Sequence, residues 1–198
     1  MFAYCNNNPV GNVDYTGFLP VVKTTAICDG GTSKFIDSQH DEPYADMSIG
    51  ITNIAHGGCG PVAVFNAMQL LGRTDVTLES IVEYYKENDY FLLDGLLGSL
   101  PVAAVNYFED QGYHVTVLTC GEIRYYRSVE EYADACILWY WYEEPSVGAH
   151  FVAIGQYGGT GIYFNWRSTP YRYDGYISDF MRDEDYGIAQ LILIKEVN

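Results

Sequence analysis

Asn53-Ile54-Ala55-His56-Gly57-Gly58-Cys59-Gly60-Pro61-Val62-Ala63 is the stretch on which the fold turns. Glycines bracket a cysteine, and helical patterning begins directly behind it. Val62, Phe65, Met68 and Gln69-Leu70-Leu71 recur at helical spacing until Gly72. Pro61 suits a first helical turn. A helix N-terminus presents free N–H groups and a partial positive charge, which favours a thiolate at Cys59. The glycines leave room for a substrate backbone to come close.

Outward from this stretch the chain divides into two patterns. Residues 77–86 read as a second helix, with Asp75 or Thr77 as its cap. Residues 101–111 read as a third, with Pro101 in its first turn and Gly112 at its end. After Gly112 the period changes. Residues 113–119 alternate like a strand, and 128–135 suggest a short helix capped by Ser128, with Glu131 at the capping-box position. Strand-rich runs follow over 137–142, 150–157, 161–166 and 187–195, with a hairpin signal in Gly158-Gly159-Thr160-Gly161. Residues 1 to about 50 read as loops and short strands. The expectation is an α+β chain, helical after the cysteine and ending in an antiparallel strand meander.

The 198 residues suit one domain, or one domain with an appendage. Ten Lys and Arg stand against 26 Asp and Glu, a net charge of −16. That balance excludes general nucleic-acid binding, which needs a basic footprint, and a polybasic membrane-surface mode. No apolar run reaches the roughly 18 residues of a membrane span. The opening residues lack the charged and apolar regions of a signal peptide. Five cysteines without close pairs argue for a reducing environment and leave room for one functional thiol.

Two further segments complete a chemical constellation with Cys59. In Gly148-Ala149-His150-Phe151-Val152-Ala153-Ile154 a histidine opens an apolar strand, where it can serve a thiol as general base and form a thiolate–imidazolium pair. In Gly161-Ile162-Tyr163-Phe164-Asn165-Trp166, the hairpin partner, Asn165 returns toward His150 and can orient the imidazole, with Asp174 a distant substitute. Trp166 would shield that hydrogen bond from water. Other chemistries fit poorly. His56 and Cys59 have no second Cys/His pair at zinc spacing. Asp183-Glu184-Asp185 lacks the ligand alternation of a calcium loop. Gly155-x-x-Gly158-Gly159 is followed by no Lys-Ser/Thr.

Gly-Cys-Gly-Pro at a helix start, then Gly-x-His-Phe-Val, then a Tyr-x-Asn strand, resembles the papain-like cysteine peptidase superfamily over roughly residues 50–167. The bacteriocin-leader peptidase branch is the nearest in pattern. The resemblance implies a papain-like fold with Cys59 as nucleophile, His150 as base and Asn165 as the third member. The family's oxyanion side chain, a Gln six positions before the cysteine, falls on Asn53, which is one methylene shorter and still donates an N–H. The Cys59 backbone N–H would complete that oxyanion hole. No cofactor is implied.

Residues 2–17, Phe2-Ala3-Tyr4-Cys5-Asn6-Asn7-Asn8-Pro9-Val10-Gly11-Asn12-Val13-Asp14-Tyr15-Thr16-Gly17, resemble the closing signature of the Rhs/YD-repeat core, with Tyr15 where that family has Pro. The resemblance divides the chain into a signature, 1–17, and a papain-like hydrolase domain, 18–198. It implies the C-terminal effector of a polymorphic toxin, carried out of its producer by a larger parent, with this chain alone cytoplasmic. The expected partners are a protein or peptide substrate and an immunity protein. The reaction is peptidase, glutamine deamidase or transglutaminase chemistry. The rival readings are a leader- or self-processing peptidase and an inactive binding module.

Overall fold

In the computed structural model, residues 35–125, 133–143, 148–157, 160–166, 169–184, 186 and 188–197 are described. Ile36–Asn198 form one compact unit. The Rhs-like stretch and most of the helix expected over 128–135 lie outside the described residues; Ala135 itself opens a strand.

Among the described residues four helices come first: α1 (Ile54–Gly57), α2 (Cys59–Leu70), α3 (Leu78–Glu87) and α4 (Pro101–Asp110). Then follow β1 (His114–Thr119), α5 (Cys120–Tyr125), β2 (Ala135–Tyr142), β3 (Gly148–Tyr157), β4 (Thr160–Trp166), β5 (Thr169–Asp174), α6 (Ile177–Asp183) and β6 (Ala189–Lys195). Among the described residues the architecture is a mixed one of helices and a six-stranded antiparallel sheet.

Helix α2 is central. Eleven of its twelve residues, from Cys59 to Gln69, are buried, so no face is left for water. Such a helix must be packed all round. It lies against β2, β3 and β4 and against α3 and α4. Gly72, at φ +77°, ends it in the left-handed region that glycine tolerates. Helix α3 is one-sided instead: Leu78, Ile81, Val82 and Tyr85 are buried, whereas Glu79, Glu83, Lys86 and Glu87 face water. Thr77 caps it, its side chain accepting from the Ser80 N–H at 3.2 Å.

The six strands run in the order β1-β6-β2-β3-β4-β5, every neighbour antiparallel. The expected terminal meander holds for β2 to β5 only. The last strand, β6, returns to lie between β1 and β2. Its Leu191-Ile192-Leu193-Ile194 run is buried on both faces, which makes a central position the stable one. Strand β5 and helix α6 were not legible in the sequence. Pro170 in β5 weakens a strand reading, yet β5 is the sheet edge, where Pro removes no ladder bond. One sheet face packs on α2 and α4. On the other, Leu138, Tyr140, Val152, Ile154, Tyr163 and Leu191 meet Ile123 of α5 and Ile177, Phe180 and Met181 of α6.

A short irregular segment, Ile36 to His40, is sewn to this frame. The buried Asn66 side chain on α2 accepts from the Ile36 N–H at 2.8 Å and donates to the Ile36 carbonyl at 2.9 Å. The carboxamide thus pairs the segment as a strand neighbour would. No helix among the described residues is long and apolar enough to cross a membrane.

Candidate active site

Cys59 is the first residue of α2 and is 8% exposed. The glycines around it serve packing rather than substrate entry. A Cβ at Gly57 would lie 2.3 Å from the Gly95 carbonyl oxygen, and one at Gly60 would lie 2.1 Å from Ser99 Oγ. The 91–99 turn therefore presses directly on the cysteine's flanks. Around the thiol, hydrogen bonds from the backbone of Phe151, Gly60 and Cys59 itself lower its pKa. Burial outweighs them and pushes the Cys59 thiol up to about 11. The helix terminus therefore does not hold a resting thiolate, as the sequence had suggested, because desolvation of the charge costs more than the terminus returns.

The bond from the Phe151 backbone joins α2 to the strand of His150. Strand β3 pairs with β2 from Gly148 through Ile154, but with β4 only from Ala153 onward. On the β4 side, residues 148–152 have no ladder partner among the described residues, and the Phe151 backbone that meets the thiol lies in that stretch. Phe151 directly follows His150 in β3, so this contact places the thiol beside the strand that carries the histidine. Among the described residues no hydrogen bond joins the two side chains directly.

The gap in the ladder is made by β4. Its register against β5 shifts between Tyr163 and Trp166, with one extra residue on β4. Asn165 lies in this bulge at φ +64°, in the left-handed region where Asn is one of the few residues at ease. The bulge turns the Asn165 backbone carbonyl onto His150 Nε2, 2.6 Å away. The expected contact came from the side chain; the observed one comes from the main chain. The Asn165 carboxamide faces the other way. Its Oδ1 accepts from the Gln39 N–H at 2.9 Å and its Nδ2 donates to Gln39 Oε1 at 3.0 Å. Gln39 Nε2 in turn donates to the carbonyls of Ile54 (3.2 Å) and Ala55 (3.0 Å), in the segment leading to Cys59.

This arrangement fixes the tautomer of His150. A carbonyl only accepts, so Nε2 carries the proton and Nδ1 is left with its lone pair. Burial lowers the His150 pKa, opposed by the Asn165 contact and helped by the nearby His40. At rest the thiol and the imidazole are both neutral.

The other residues expected at the site lie as follows. Asn53 precedes α1 and gives it no side-chain cap; its Oδ1 accepts from His56 Nδ1 at 2.8 Å, and no hydrogen bond links it to Cys59 among the described residues. Trp166 is buried, its indole N–H donating to the Tyr186 hydroxyl at 3.3 Å. The ring beside the imidazole is Tyr140, 5.9 Å away and edge-on, which is itself stacked on Tyr186 at 4.0 Å. Asp174 is exposed at the end of β5, paired with Arg172 and Thr160. Cys120 and Cys136 are free thiols like Cys59. No group of three His, Cys, Asp or Glu side chains suited to a metal ion occurs among the described residues. Gln39 and Tyr140 were missed in the sequence. Gln39 stands in a loop with no motif around it, and Tyr140 was hidden in the aromatic run 139–142.

No protein-family model matches the chain, and no curated protein is similar to it in sequence. Among solved structures it is similar to the peptidase domain of Streptococcus ComA, a bi-functional ABC transporter involved in a quorum-sensing pathway. The TM-score is 0.43 and the identity 12%, over 70% of this chain and 91% of that one.

Proposed function

We propose that this chain is a cysteine-dependent acyl-transfer hydrolase of papain-like organisation, acting on a peptide bond or a glutamine side-chain amide. One observation carries the reading: the Cys59 thiol lies against the backbone of Phe151, while the preceding His150 has Nε2 tied to a carbonyl and Nδ1 without a hydrogen bond among the described residues. Cys59 is the nucleophile, His150 the base, and Asn165 the residue that orients it through its carbonyl.

The steps follow from those roles. His150 Nδ1 takes the Cys59 proton as sulfur attacks the substrate carbonyl carbon, so the thiolate need not exist beforehand. The Cys59 N–H, with the Asn53 carboxamide turning in from His56, faces the oxyanion. Collapse breaks the C–N bond, and the imidazolium gives its proton to the leaving amine, or to ammonia from a glutamine. Water, deprotonated by His150, then hydrolyses the thioester and restores the thiol.

The charge distribution supports a basic substrate segment. Residues 36–110, which carry Cys59, hold 12 acids against Arg73 and Lys86 alone, a net −10. The Rhs-like residues 2–17 support a toxin effector with an immunity partner. The raised thiol pKa favours a second reading, an inactive module that only binds a partner.

The test uses a library of basic, glutamine-containing peptides. New N-termini report proteolysis, and released ammonia reports deamidation. Either product from the wild-type chain, and neither from Cys59→Ala or His150→Ala, supports the enzyme. No product, with Cys59, Cys120 and Cys136 alkylated equally by iodoacetamide, sinks it in favour of the binding module. Expression in a bacterium separates toxin from processing peptidase: harmless wild-type expression removes the toxin role.

A further inference from the structure

We infer that the leucine loop at residues 91–100 is a docking surface for a basic amphipathic helix of a partner protein. The inference goes beyond the hydrolase reading and does not depend on it.

Phe91-Leu92-Leu93-Asp94-Gly95-Leu96-Leu97-Gly98-Ser99-Leu100 closes on itself. The Leu92 N–H donates to the Gly98 carbonyl at 2.9 Å, the Leu97 N–H to the Leu92 carbonyl at 3.2 Å, and the Leu100 N–H to the Tyr90 carbonyl at 3.2 Å. Ile51 joins the loop through its own N–H, which donates to the Asp94 carbonyl at 3.1 Å. Held in this way, the loop turns its apolar side chains outward. Ile51, Leu92, Leu93, Leu96, Leu97 and Leu100 are six of the eleven large hydrophobic side chains exposed among the described residues. Four of them stand far out: Ile51 is 72%, Leu93 66%, Leu97 65% and Leu96 60% exposed. A single exposed leucine needs no explanation, but a cluster of this kind marks a binding surface. The backbone points the same way. Leu93 sits at φ +47°, where a bulky side chain is an outlier, and Asp94 follows at φ +52°. Strain and exposure at one leucine both oppose folding, which points to a role outside the fold.

Charge selects the partner. Asp94 lies within the loop and Glu87 and Asp89 at its foot, all three exposed. Against them stands Lys86, whose Nζ donates to the Ser48 carbonyl at 2.8 Å, while Arg73 is paired with Asp75. The rim is thus acidic, in a part of the chain that carries net −10. A second copy of this chain and an anionic lipid surface would both bring like charge to it. A surface with apolar and basic residues side by side complements both features. A helix supplies that pattern along one face, with grooves between its side-chain ridges that admit protruding leucines. The loop packs on Gly57 and Gly60, so a docked helix stands beside the start of α2.

The probe is a synthetic helix of Leu and Lys with every Leu on one face, fluorescently labelled and titrated with the full Cys59→Ala chain, which lacks the candidate nucleophile. Failure of the hydrolase reading leaves this binding unchanged, and peptide turnover by the wild type reports on that reading separately. Binding is expected, with a Leu/Glu helix of the same pattern at least about tenfold weaker, because opposite charge at the rim is lost. Leu93→Asn with Leu96→Gln and Leu97→Gln keeps the net charge and is expected to weaken the Leu/Lys helix at least about tenfold. Asn suits the left-handed backbone, so Leu93→Asn alone leaves the urea midpoint unchanged or higher. A clear drop means that Leu93 packs within the fold, and overturns its place in the surface. Should the triple variant not fold, Ile51→Gln carries the test, with a roughly threefold loss expected. No binding to the Cys59→Ala chain overturns the inference. Undiminished binding to the triple variant, or to Ile51→Gln in its place, overturns it too, because the attraction is then charge alone. Equal binding of the Leu/Glu helix overturns the basic partner. A dimer in sedimentation that the leucine substitutions abolish assigns the loop to a second copy, and loop-dependent cosedimentation with phosphatidylcholine vesicles assigns it to a lipid surface; either result overturns the inference.

Discussion

Around Cys59 the chain is held by close steric packing against its glycines, whereas around His150 it is held by hydrogen bonds. Gly57 and Gly60 press on Gly95 and Ser99 with no room for a methyl group. Across the site, Gln39, Asn66 and Asn165 each satisfy main-chain or side-chain groups in the interior. The difference teaches which kind of substitution each side tolerates. Steric contacts resist added volume and are indifferent to polarity, whereas hydrogen bonds tolerate a change of shape but not the loss of a partner. The charge differs as well. Residues 36–110 carry net −10, and residues 111–198, with 12 acids and six bases, carry −6.

The comparison can be broken in several ways, the strongest first. His150→Ala leaves the fold intact and lowers turnover of a cleaved peptide by roughly 10²–10⁴, the usual worth of a general base. A smaller loss in steady-state kinetics would mean that the hydrogen-bonded side does no chemistry. Gly57→Ala forces a methyl onto the Gly95 carbonyl and is expected to cost about 1–3 kcal/mol in urea unfolding. Gly60→Ala should cost less, because Ser99 Oγ is a rotatable hydroxyl. Ser99→Ala should be neutral or mildly stabilising, since that buried hydroxyl has no partner among the described residues.

The pH dependence follows from the two titratable side chains of the candidate site. Cys59 ionises near 9.0 when unfolded and about 11 when folded. The folded state therefore holds a proton the unfolded state has lost, and stability falls as pH rises from 9 toward 11. The loss is on the order of 2 kcal/mol, and Cys59→Ala removes it from the urea midpoint profile. His150 has the opposite sign. Its folded pKa lies below the ordinary 6.5, so its contribution is complete above 6.5 and is lost as pH falls below it. His150→Gln flattens that acid limb. At the exposed cap of α3, Thr77→Ala costs about 1 kcal/mol and leaves the reactivity of Cys59 unchanged.

The chain's periodicities determined much of this by themselves. The helix behind Cys59, its stop at Gly72, the Thr77 cap and the Pro101 start were legible because capping and φ preferences act within a few residues. The order Cys59, His150, Asn165 was legible for the same reason: each lies in a short motif with its own local signal. Tertiary structure decided the rest, since it depends on residues far apart in sequence. The return of β6 between β1 and β2 is set by burial on both sheet faces. The thiol is neutral at rest because the folded chain removes water from it, a cost no local pattern carries. The Asn165 carbonyl, rather than its carboxamide, faces His150 because a bulge re-aims the backbone and Gln39, 126 positions away, occupies the side chain. A sequence can place a hydrogen-bonding residue beside a histidine, but the fold alone decides which of its atoms arrives.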